Sequence, residues 1–579
     1  IQNCENHGTI NHKSNYADEN LFIGGLVGIN RYVVIDCKNY GKIYIHDVTQ
    51  SEFPVGTTSK MTHAYYRYTT IGGFIGRAAG YEVTNCQNYG DIRSHNNMAG
   101  GFVAWQKHTK ITLKDCANYG KIEANSKYAA GLVSGPNCAD VTLDNCANYG
   151  RLIGAQRAVG LVYAEGGTVA NSANYGALSV TNADGKTYAF GNSKITVDEA
   201  TCKDEGFYGY KDVATAEDFM AMQAGGLYNL VADIVLPTSY TAIDFGAEWY
   251  QAELNGNGHT VTLKSDNGAS IFNNLASAKI YNVNFKGNSE FAAESGFVAA
   301  KVVGAAEVAF ENVTVDATIK STANAAGFIG TSDSSIKALT FKNCAFLGNI
   351  ASDAYAGGFT GKLNMHKGAI SFENCVVGSE DVATSITGAE RVAAFVAKTL
   401  AVDNTSVIDL TFKNCVNYAD VTGAGAAASA VGSLVGRVNR TNVTVDGCVN
   451  NGTITSESTK NSRGVGGLIG EIIYNCNVTI TSSTNNGDIN VVTAVPGGLI
   501  GISSYRSYVT IGALKEVEAA APASEAAEGG DAAAKTYVVD ETKAYVNNGN
   551  INQANDWAYG SGGIIGFVKS NSKKDLMTE

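Results

Sequence analysis

The sequence is poor in proline and contains no long hydrophobic run. Five of its 579 residues are proline, and charged residues make up 17%. Because proline has no amide hydrogen to donate to a β-ladder, its scarcity favours extensive sheet. No stretch reaches the roughly 18 apolar residues that a membrane span requires. We therefore expect no membrane span in this fragment.

The sequence also lacks the short motifs of common enzyme classes and metal sites. It contains no His-Glu-x-x-His, no Gly-x-Ser-x-Gly and no phosphate-binding loop, and its eight histidines are scattered. No Cys-x-x-Cys pair or mixed Cys/His spacing indicates zinc. The net charge of −12 disfavours nucleic acid as a partner. These absences predict no catalytic residue, no cofactor and no metal.

A repeated phrase, Asn-Cys-x-Asn-Tyr-Gly, dominates the first part of the chain. It occurs, with Asp in the first position of two copies, at residues 36–41, 85–90, 115–120 and 145–150. Its cysteine slots at Cys86, Cys116 and Cys146 are 30 residues apart, and a second series begins at Val283 with steps of 30, 31, 31 and 40. A second phrase, Gly-Gly-(Leu/Phe)-(Val/Ile)-Gly, runs in step with the first. Two phrases with one period indicate the repeating unit of a solenoid.

Each repeat contains three short runs that are too brief for helices. In one repeat they are residues 111–113, 121–123 and 131–133, separated by Gly and Asn turn signals. Three strands in about 30 residues predict one coil of a parallel β-helix, with coils about 4.8 Å apart. The predicted fold class is therefore all-β.

Stacked coils explain the recurring residue types. Cysteine, valine or serine in the interior slot forms a file of small side chains, and neighbouring thiols that point the same way are poorly placed for disulfides. We therefore expect reduced, buried thiols. Asparagine at a bend tolerates left-handed backbone and hydrogen-bonds the asparagine above it. A positive φ is expected at the closing glycines, which are Gly41, Gly90, Gly120 and Gly150.

The glycine phrase resembles a known repeat. The sequences at residues 24–28, 466–470 and 497–501 resemble the GLUG motif. That motif occurs in large secreted and cell-surface proteins of bacteria, including adhesins and the non-catalytic part of some IgA-cleaving metallopeptidases. The coupled Asn-Cys-x-Asn-Tyr-Gly phrase is similar to β-helical surface proteins of gut anaerobes. The resemblance implies a location outside the cell or on its surface in an anaerobic bacterium, but it does not define a chemistry.

Residues 212–265 interrupt the repeats and indicate a second domain. Residues 215–222 predict a short amphipathic helix, with Thr215 as N-cap and Asp218 completing a capping box. Such a helix would cover the open strand edges of a new β-helix. We predict two tandem parallel β-helices, residues 1–210 and residues 211–579. Ile1 opens inside a repeat, so the first β-helix is expected to be incomplete at its N-terminus.

The candidate binding residues are tyrosines. If the asparagine before each one points inward, the tyrosine points outward and forms a stacked stripe that receives sugar rings or a partner protein. The alternative is that these rings stack only on each other. A long insertion, residues 46–70, is a second candidate, with a plain surface loop as its alternative. The candidates are Tyr40, Tyr89, Tyr119, Tyr149 and Tyr175 in the stripe, and Tyr65, Tyr66 and Tyr68 in the insertion.

These features predict a secreted or cell-surface structural or adhesive protein that presents a rigid surface to a glycan or to a host or bacterial surface protein. One alternative is a filament or surface-layer building block that associates end to end. Another is a polysaccharide-active β-helix enzyme, which needs clustered Asp, Lys and Arg on one sheet face. A further insertion, residues 515–535, is expected to form a mobile excursion or a short helix, and no function is assigned to it.

Overall fold

The computed structural model describes most of the chain. The described residues are 1–12, 22–45, 70–78, 81–94, 98–104, 110–125, 127–135, 138, 140–246, 252–265, 268–304, 307–425, 430–459, 463–504, 506–512, 514–517, 536–539, 546–553 and 564–569. No helix among them has the length and hydrophobicity that crossing a membrane requires.

The fold is a parallel β-helix, which confirms the predicted fold class. Strands of one coil pair in parallel and in register with strands of the next coil, so residues one period apart lie side by side. Ile111 pairs with Val141, and Asn118 pairs with Asn148. Each sequence position therefore becomes a file of residues along the β-helix.

The chain divides into two compact units. The first unit comprises Ile1–Asp212, Met222–Asn229 and Trp249–Glu253. The second unit comprises Val213–Ala221, Leu230–Glu248 and Leu254–Glu579.

Among the described residues of the first unit, the strands form four main sheets and two short pairs. The first sheet contains Val34–Ile35, Tyr81–Thr84, Lys110–Lys114, Asp140–Asp144, Gly167–Ala170 and Ile195–Val197. The second contains Glu5–Asn6, Lys38–Asn39, Gln87–Asn88, Ala117–Asn118, Ala147–Asn148, Ala173–Asn174 and Lys203–Asp204. The third contains Ile10–His12, Ile43–Ile45, Ile92–Ser94, Ile122–Ala124, Leu152–Gly154 and Leu178–Val180. The fourth contains Phe22–Gly24, Thr70–Gly72, Met98–Gly100, Tyr128–Ala130, Arg157–Val159 and Lys186–Tyr188, and the short pairs are Val27–Asn30 with Ile75–Ala78 and Val133–Ser134 with Val162–Tyr163.

The second unit is built the same way. Its largest sheet contains Ile234–Val235, Thr260–Ser265, Ala278–Phe291, Glu307–Ser321, Ala338–Lys342, Ala345–Phe346, Asn349–Ser352, Lys367–Glu373, Val376–Val377, Ser385–Gly388, Val407–Lys413, Val416–Asn417, Asp420–Gly423, Thr441–Asp446, Val449–Asn450, Ile454–Ser456, Asn477–Thr481, Thr484–Asn485, Ile489–Val491, Tyr508–Ile511, Val546–Asn547 and Ile551–Gln553. A second sheet contains Ile243–Phe245, Phe272–Leu275, Ala299–Val302, Ile329–Ser332, Thr360–Met365, Val396–Ala401, Val435–Asn439, Ile469–Ile473, Ile500–Ser504 and Ile565–Lys569. A third contains Ser295–Gly296, Ala325–Ala326, Ala356–Gly357, Arg391–Ala393, Ala430–Gly432, Gly464–Gly466 and Val495–Gly497.

The predicted capping helix is present in the second unit. It spans Ala216–Met220, and the Thr215 side chain accepts a hydrogen bond from the Asp218 amide while the Asp218 carboxylate accepts one from the Thr215 amide. Phe219 is buried and packs near Phe272, with ring centroids 6.4 Å apart. The capping box therefore sets the start of the helix, and one aromatic anchors it.

Two sequence-based details of the secondary structure are wrong. A first-unit coil contains five short strands rather than three, because Asp115 and the Gly131-Leu132 corner each divide a longer extended run. The start of the 515–535 insertion is strand rather than helix, since Leu514–Val517 pairs antiparallel with Thr536–Val539. Residues 518–535 lie outside the described part of the chain.

The predicted positive φ falls on the residue that opens each phrase, not on the glycine that closes it. The φ angle is 54° at Asp115 and 52° at Asn145, and Gly41, Gly90, Gly120 and Gly150 do not share this conformation. Asp and Asn tolerate left-handed backbone because their short polar side chains bond locally. Glycine is needed at the closing position because a Cβ on Gly120 would lie 2.1 Å from the carbonyl oxygen of Gly90 in the preceding coil.

The second asparagine of each phrase forms a buried hydrogen-bonded file, here called the asparagine ladder. Asn118 Nδ2 donates to the carbonyl oxygen of Gly120 at 2.9 Å and to Asn148 Oδ1 at 2.8 Å. Asn118 Oδ1 accepts in turn from Asn88 Nδ2 at 2.8 Å. The ladder thus satisfies buried polar groups along the interior. Its members are Asn6, Asn39, Asn88, Asn118, Asn148 and Asn174 in the first unit and Asn417, Asn450, Asn485 and Asn547 in the second.

The cysteine slot forms a second interior file. Ten of the twelve cysteines are buried, whereas Cys4 is exposed and Cys202 is partly exposed. Cys116 Sγ donates to the carbonyl oxygen of Lys114 at 3.2 Å, and burial raises the pKa of the Cys116 thiol well above its usual value. A buried thiol with a raised pKa remains protonated and unreactive.

We predict that the asparagine ladder is a main source of stability. Replacement of Asn450 by alanine leaves Asn417 Nδ2, Asn485 Oδ1 and the carbonyl oxygen of Gly452 each one bond short. Asn450→Ala should lower the free energy of unfolding of the second unit by about 3 kcal/mol, measured by urea denaturation. The matched control is Asn477→Ala, whose amide donates to Asn442 at the exposed surface and should cost less than about 1 kcal/mol. Equal effects of the two changes would contradict the prediction.

Thiol accessibility offers a direct test of the cysteine file. We expect Ellman's reagent to modify about two thiols in the native protein, Cys4 and Cys202, and all twelve after unfolding in guanidinium. The Cys4→Ser, Cys202→Ser double variant should show no fast-reacting thiol in the native state. Rapid modification of most thiols in the folded protein would show that the file is open to solvent.

Candidate functional site

The five predicted stripe tyrosines form one continuous stack, here called the tyrosine column. Successive ring centroids are 4.8 to 4.9 Å apart, and the ring planes lie within 5° to 8° of parallel. His7 extends the stack below Tyr40, at 4.7 Å and 10°. The column contains Tyr40, Tyr89, Tyr119, Tyr149 and Tyr175.

The backbone imposes this stack. Asn118 points into the core, so Tyr119, the next residue, points outward and remains partly exposed. The Tyr149 amide donates to the carbonyl oxygen of Asn118 at 2.7 Å, which fixes one coil against the next. The ring spacing therefore equals the distance between neighbouring strands, about 4.8 Å. Parallel rings at this distance are mutually stabilising.

The stack determines which part of each ring a ligand can reach. Both faces of Tyr89, Tyr119 and Tyr149 are covered by neighbouring rings. A sugar ring cannot enter between rings that are less than 5 Å apart. The column therefore presents ring edges to solvent, instead of the ring faces that a stacked sugar would need.

A groove runs beside the tyrosine column. It has a volume of about 410 Å³ and crosses at least three coils. Ring edges of Tyr119, Tyr149 and Tyr175 form one wall, and Ala117 and Ala147 lie in the floor. The opposite wall contains Asp115, Asn145 and Asn171.

The polar wall of the groove is preorganised by hydrogen bonds between coils. Asn145 Nδ2 donates to Asp115 Oδ1 at 2.6 Å, and Asn171 Nδ2 donates to Asp144 Oδ1 at 2.8 Å. Burial raises the pKa of Tyr119, so its hydroxyl is neutral at physiological pH. The groove thus offers tyrosine hydroxyls and asparagine amides that repeat along the coils. It also contains one carboxylate, that of Asp115.

In the second unit the equivalent position holds a single tyrosine, Tyr418, and amides in the coils that follow it. Asn486 Nδ2 donates to Asn451 Oδ1 at 2.8 Å, and Asn548 Nδ2 donates to Asn486 Oδ1 at 2.9 Å. An aromatic column is thus confined, among the described coils, to the first unit.

The predicted insertion site, with Tyr65, Tyr66 and Tyr68, lies outside the described residues. Within the described part of the chain, no three His, Cys, Asp or Glu side chains are arranged to hold a metal ion.

Sequence reasoning missed a cluster of basic residues in the second unit. Lys362, Lys398 and Arg437 lie side by side on successive strands. A signal was available, because each follows the bulky apolar residue of its glycine phrase by three positions, after Phe359, Phe395 and Leu434. The three residues therefore fall in one column when the repeats are aligned on their period, although no short linear motif contains them.

Comparison with known proteins identifies no family. No family model and no curated protein matches the chain. A crystal structure of a "putative immunoglobulin A1 protease" from Bacteroides ovatus aligns with a TM-score of 0.29 and 13% identity, over 59% of this chain and 83% of that chain. A similarity at this level does not define a common fold.

The tyrosine column should contribute to stability independently of any ligand. Tyr149→Ala removes two stacked pairs and should lower the free energy of unfolding of the first unit by about 2 kcal/mol. Tyr149→Phe keeps both stacks and should change it by less than about 0.5 kcal/mol. Both are measured by urea denaturation. An alanine variant as stable as the phenylalanine variant would show that the stack is energetically neutral.

Proposed function

We propose that the protein is a non-catalytic, secreted or cell-surface β-helical scaffold of a bacterium, and that its first unit binds a neutral polysaccharide along the groove beside the tyrosine column. The observation that carries the proposal is the groove itself, in which equivalent groups recur at the coil spacing. A polymer with its own repeat matches such a surface better than a single small molecule, which usually occupies an enclosed pocket. The resemblance to GLUG-motif proteins supports the location.

The charge of the groove favours a neutral chain. Its lining contains one carboxylate, Asp115, and one ammonium group, Lys203, so the groove itself is close to neutral. A charged polymer would find no net opposite charge there, whereas the hydroxyls of a neutral sugar would exchange hydrogen bonds with Asn145 and Asn171. The apolar edges of the rings would pack against the C–H surface of the chain.

The other expected roles stay predictions. They are adhesion to a host or bacterial surface protein, end-to-end filament formation and polysaccharide cleavage. For cleavage, the carboxylate nearest the basic cluster, Glu471, is paired with Arg437 and Arg463. This pairing favours a role in balancing charge over a role as general base.

Blocking the groove floor tests the proposal. Ala147→Arg fills the groove but keeps every ring of the tyrosine column. Soluble glucan, galactan and mannan are titrated into the full chain by calorimetry, and at least one should bind and raise the melting temperature. Ala147→Arg should weaken that binding at least about tenfold.

The matched control is Thr142→Arg, which places the same side chain on an outward-facing position of the same coil, outside the groove. This variant should bind like the wild type. Binding that survives Ala147→Arg, or the absence of binding to all three polymers, would refute the proposed role of the groove.

A further inference from the structure

The second unit carries a file of like charges on its outer surface. Thr331 pairs with Lys362, Lys362 with Lys398, Lys398 with Arg437 and Arg437 with Glu471 on successive parallel strands. The backbones of three cationic residues are therefore held about 4.8 Å apart by the strand spacing. Like charges directly opposite each other on neighbouring strands are destabilising. Such a file calls for a source of negative charge.

A fourth cation joins the file from the adjacent sheet. The Arg391 guanidinium carbon and the Lys398 ammonium nitrogen each lie 5.5 Å from the ring centroid of Tyr355. The Arg391 side chain is only 10% exposed, and its Nε has no hydrogen-bond partner. The Nη1 group of Arg391 already donates to Glu390, and the guanidinium has further N–H groups that can donate to a second acceptor. We call Tyr355, Lys362, Arg391, Lys398 and Arg437 the basic corner.

The carboxylates near the basic corner do not balance it. Glu390 pairs with Arg391, and Glu471 lies 2.9 Å from Arg437 Nε and 3.7 Å from an Arg463 terminal nitrogen. Glu294 also faces Tyr355 and accepts from Asn324 at 2.5 Å. Five cations, counting Arg463, thus face three carboxylates in a protein that is acidic overall. Neither Lys362 nor Lys398 has a carboxylate partner among the described residues.

The protonation of Lys398 reflects its burial and, to a smaller extent, this imbalance. The pKa of Lys398 is lowered from 10.5 to about 8, first by burial and then by the charges of Arg391, Arg437 and Lys362. The charge of Glu390 opposes this shift. Between these two values the folded state binds fewer protons than the unfolded state, so stability increases with pH in this window. The charged form of Lys398 is therefore destabilising at neutral pH. A bound anion would reverse that effect by raising the pKa.

We propose that the basic corner binds the oxyanion groups, carboxylate or sulfate, of an acidic polysaccharide. Arg391 and Arg437 would donate paired hydrogen bonds to an oxyanion, with Lys398 as a point charge between them. The row of three cations fits a ligand that carries more than one negative charge. The exposed part of the Tyr355 ring lies beside the row. This site is separate from the groove of the first unit, so either can fail without the other.

Matched polymers test the proposal on the full chain. Oligogalacturonate is compared with its methyl-esterified form, which lacks the charge, and dextran sulfate is compared with dextran. We expect the charged member of at least one pair to bind in calorimetry at low salt and the neutral member not to bind. The pair that binds distinguishes carboxylate from sulfate. Failure of both charged polymers to bind would overturn the proposal.

Lys398→Met provides the decisive variant. It should weaken binding of the charged polymer at least about tenfold, yet raise the melting temperature of the free protein because a repelled charge is removed. Lys301→Met is the control, since Lys301 occupies the corresponding position three coils earlier, away from Arg391. It should bind like the wild type. Equal affinity in Lys398→Met and wild type would show that the anion binds elsewhere.

Proton linkage gives a second readout. Binding measured in buffers of different ionisation enthalpy should take up about half a proton at pH 8 and none at pH 6, because an anion raises the pKa of Lys398 from about 8. Lys398→Met should abolish the uptake. Binding without uptake at pH 8 would exclude Lys398 from the site, even if the affinity were high.

Discussion

The structure depends on the contact between the asparagine ladder and the glycine turn across the core. A Cβ on Gly73 would lie 2.7 Å from Asn88 Oδ1, and one on Gly131 would lie 2.7 Å from the Cβ of Asn148. The amide, together with the carbonyl oxygen of Gly101 that would lie 2.1 Å from the Cβ on Gly73, occupies the space that a side chain at the glycine would need. In the first unit, the two repeated phrases therefore face each other once in every coil. Removing one asparagine of the ladder would leave buried polar groups unsatisfied. Adding a side chain at the glycine would make the coil too wide to stack.

The second unit shows how the same slot accepts apolar residues. Val315, Phe346 and Val377 lie in file where the ladder would run, and Val377 pairs with Asn417 at the point where amides begin. Asn417 therefore has no amide donor in the preceding coil. Its Oδ1 accepts from the backbone amide of Ala419 at 3.0 Å instead. A ladder can thus start within a β-helix because the first amide is satisfied by its own turn.

The repeats in the sequence record the requirements of stacking. They therefore revealed the fold but said little about function. Interior files require like residues at one period, so the Cys and Asn slots and the capping box of Thr215 were visible without coordinates. Strand number was underestimated, because a positive φ at Asp115 breaks a strand without any change in hydrophobic pattern. The role of Gly120 was misassigned, because a steric limit set by the neighbouring coil leaves the same sequence signal as a positive φ. The basic corner joins Arg391 and Lys398 from two sheets, and no linear motif records that proximity.

Files of outward-facing side chains indicate function, whereas files of inward-facing side chains indicate architecture. Tyrosines can repeat at the same position of successive coils because neutral rings attract each other at the strand spacing. The tyrosine column is therefore stable with or without a ligand. Stacked lysines and arginines repel one another, so each copy raises the cost of the next. The file of Lys362, Lys398 and Arg437 is present despite that cost, and burial together with the neighbouring cations lowers the pKa of Lys398. In a β-helix, the outward file whose members repel one another is therefore the stronger indication of a ligand, even though the aromatic file is easier to see in the sequence.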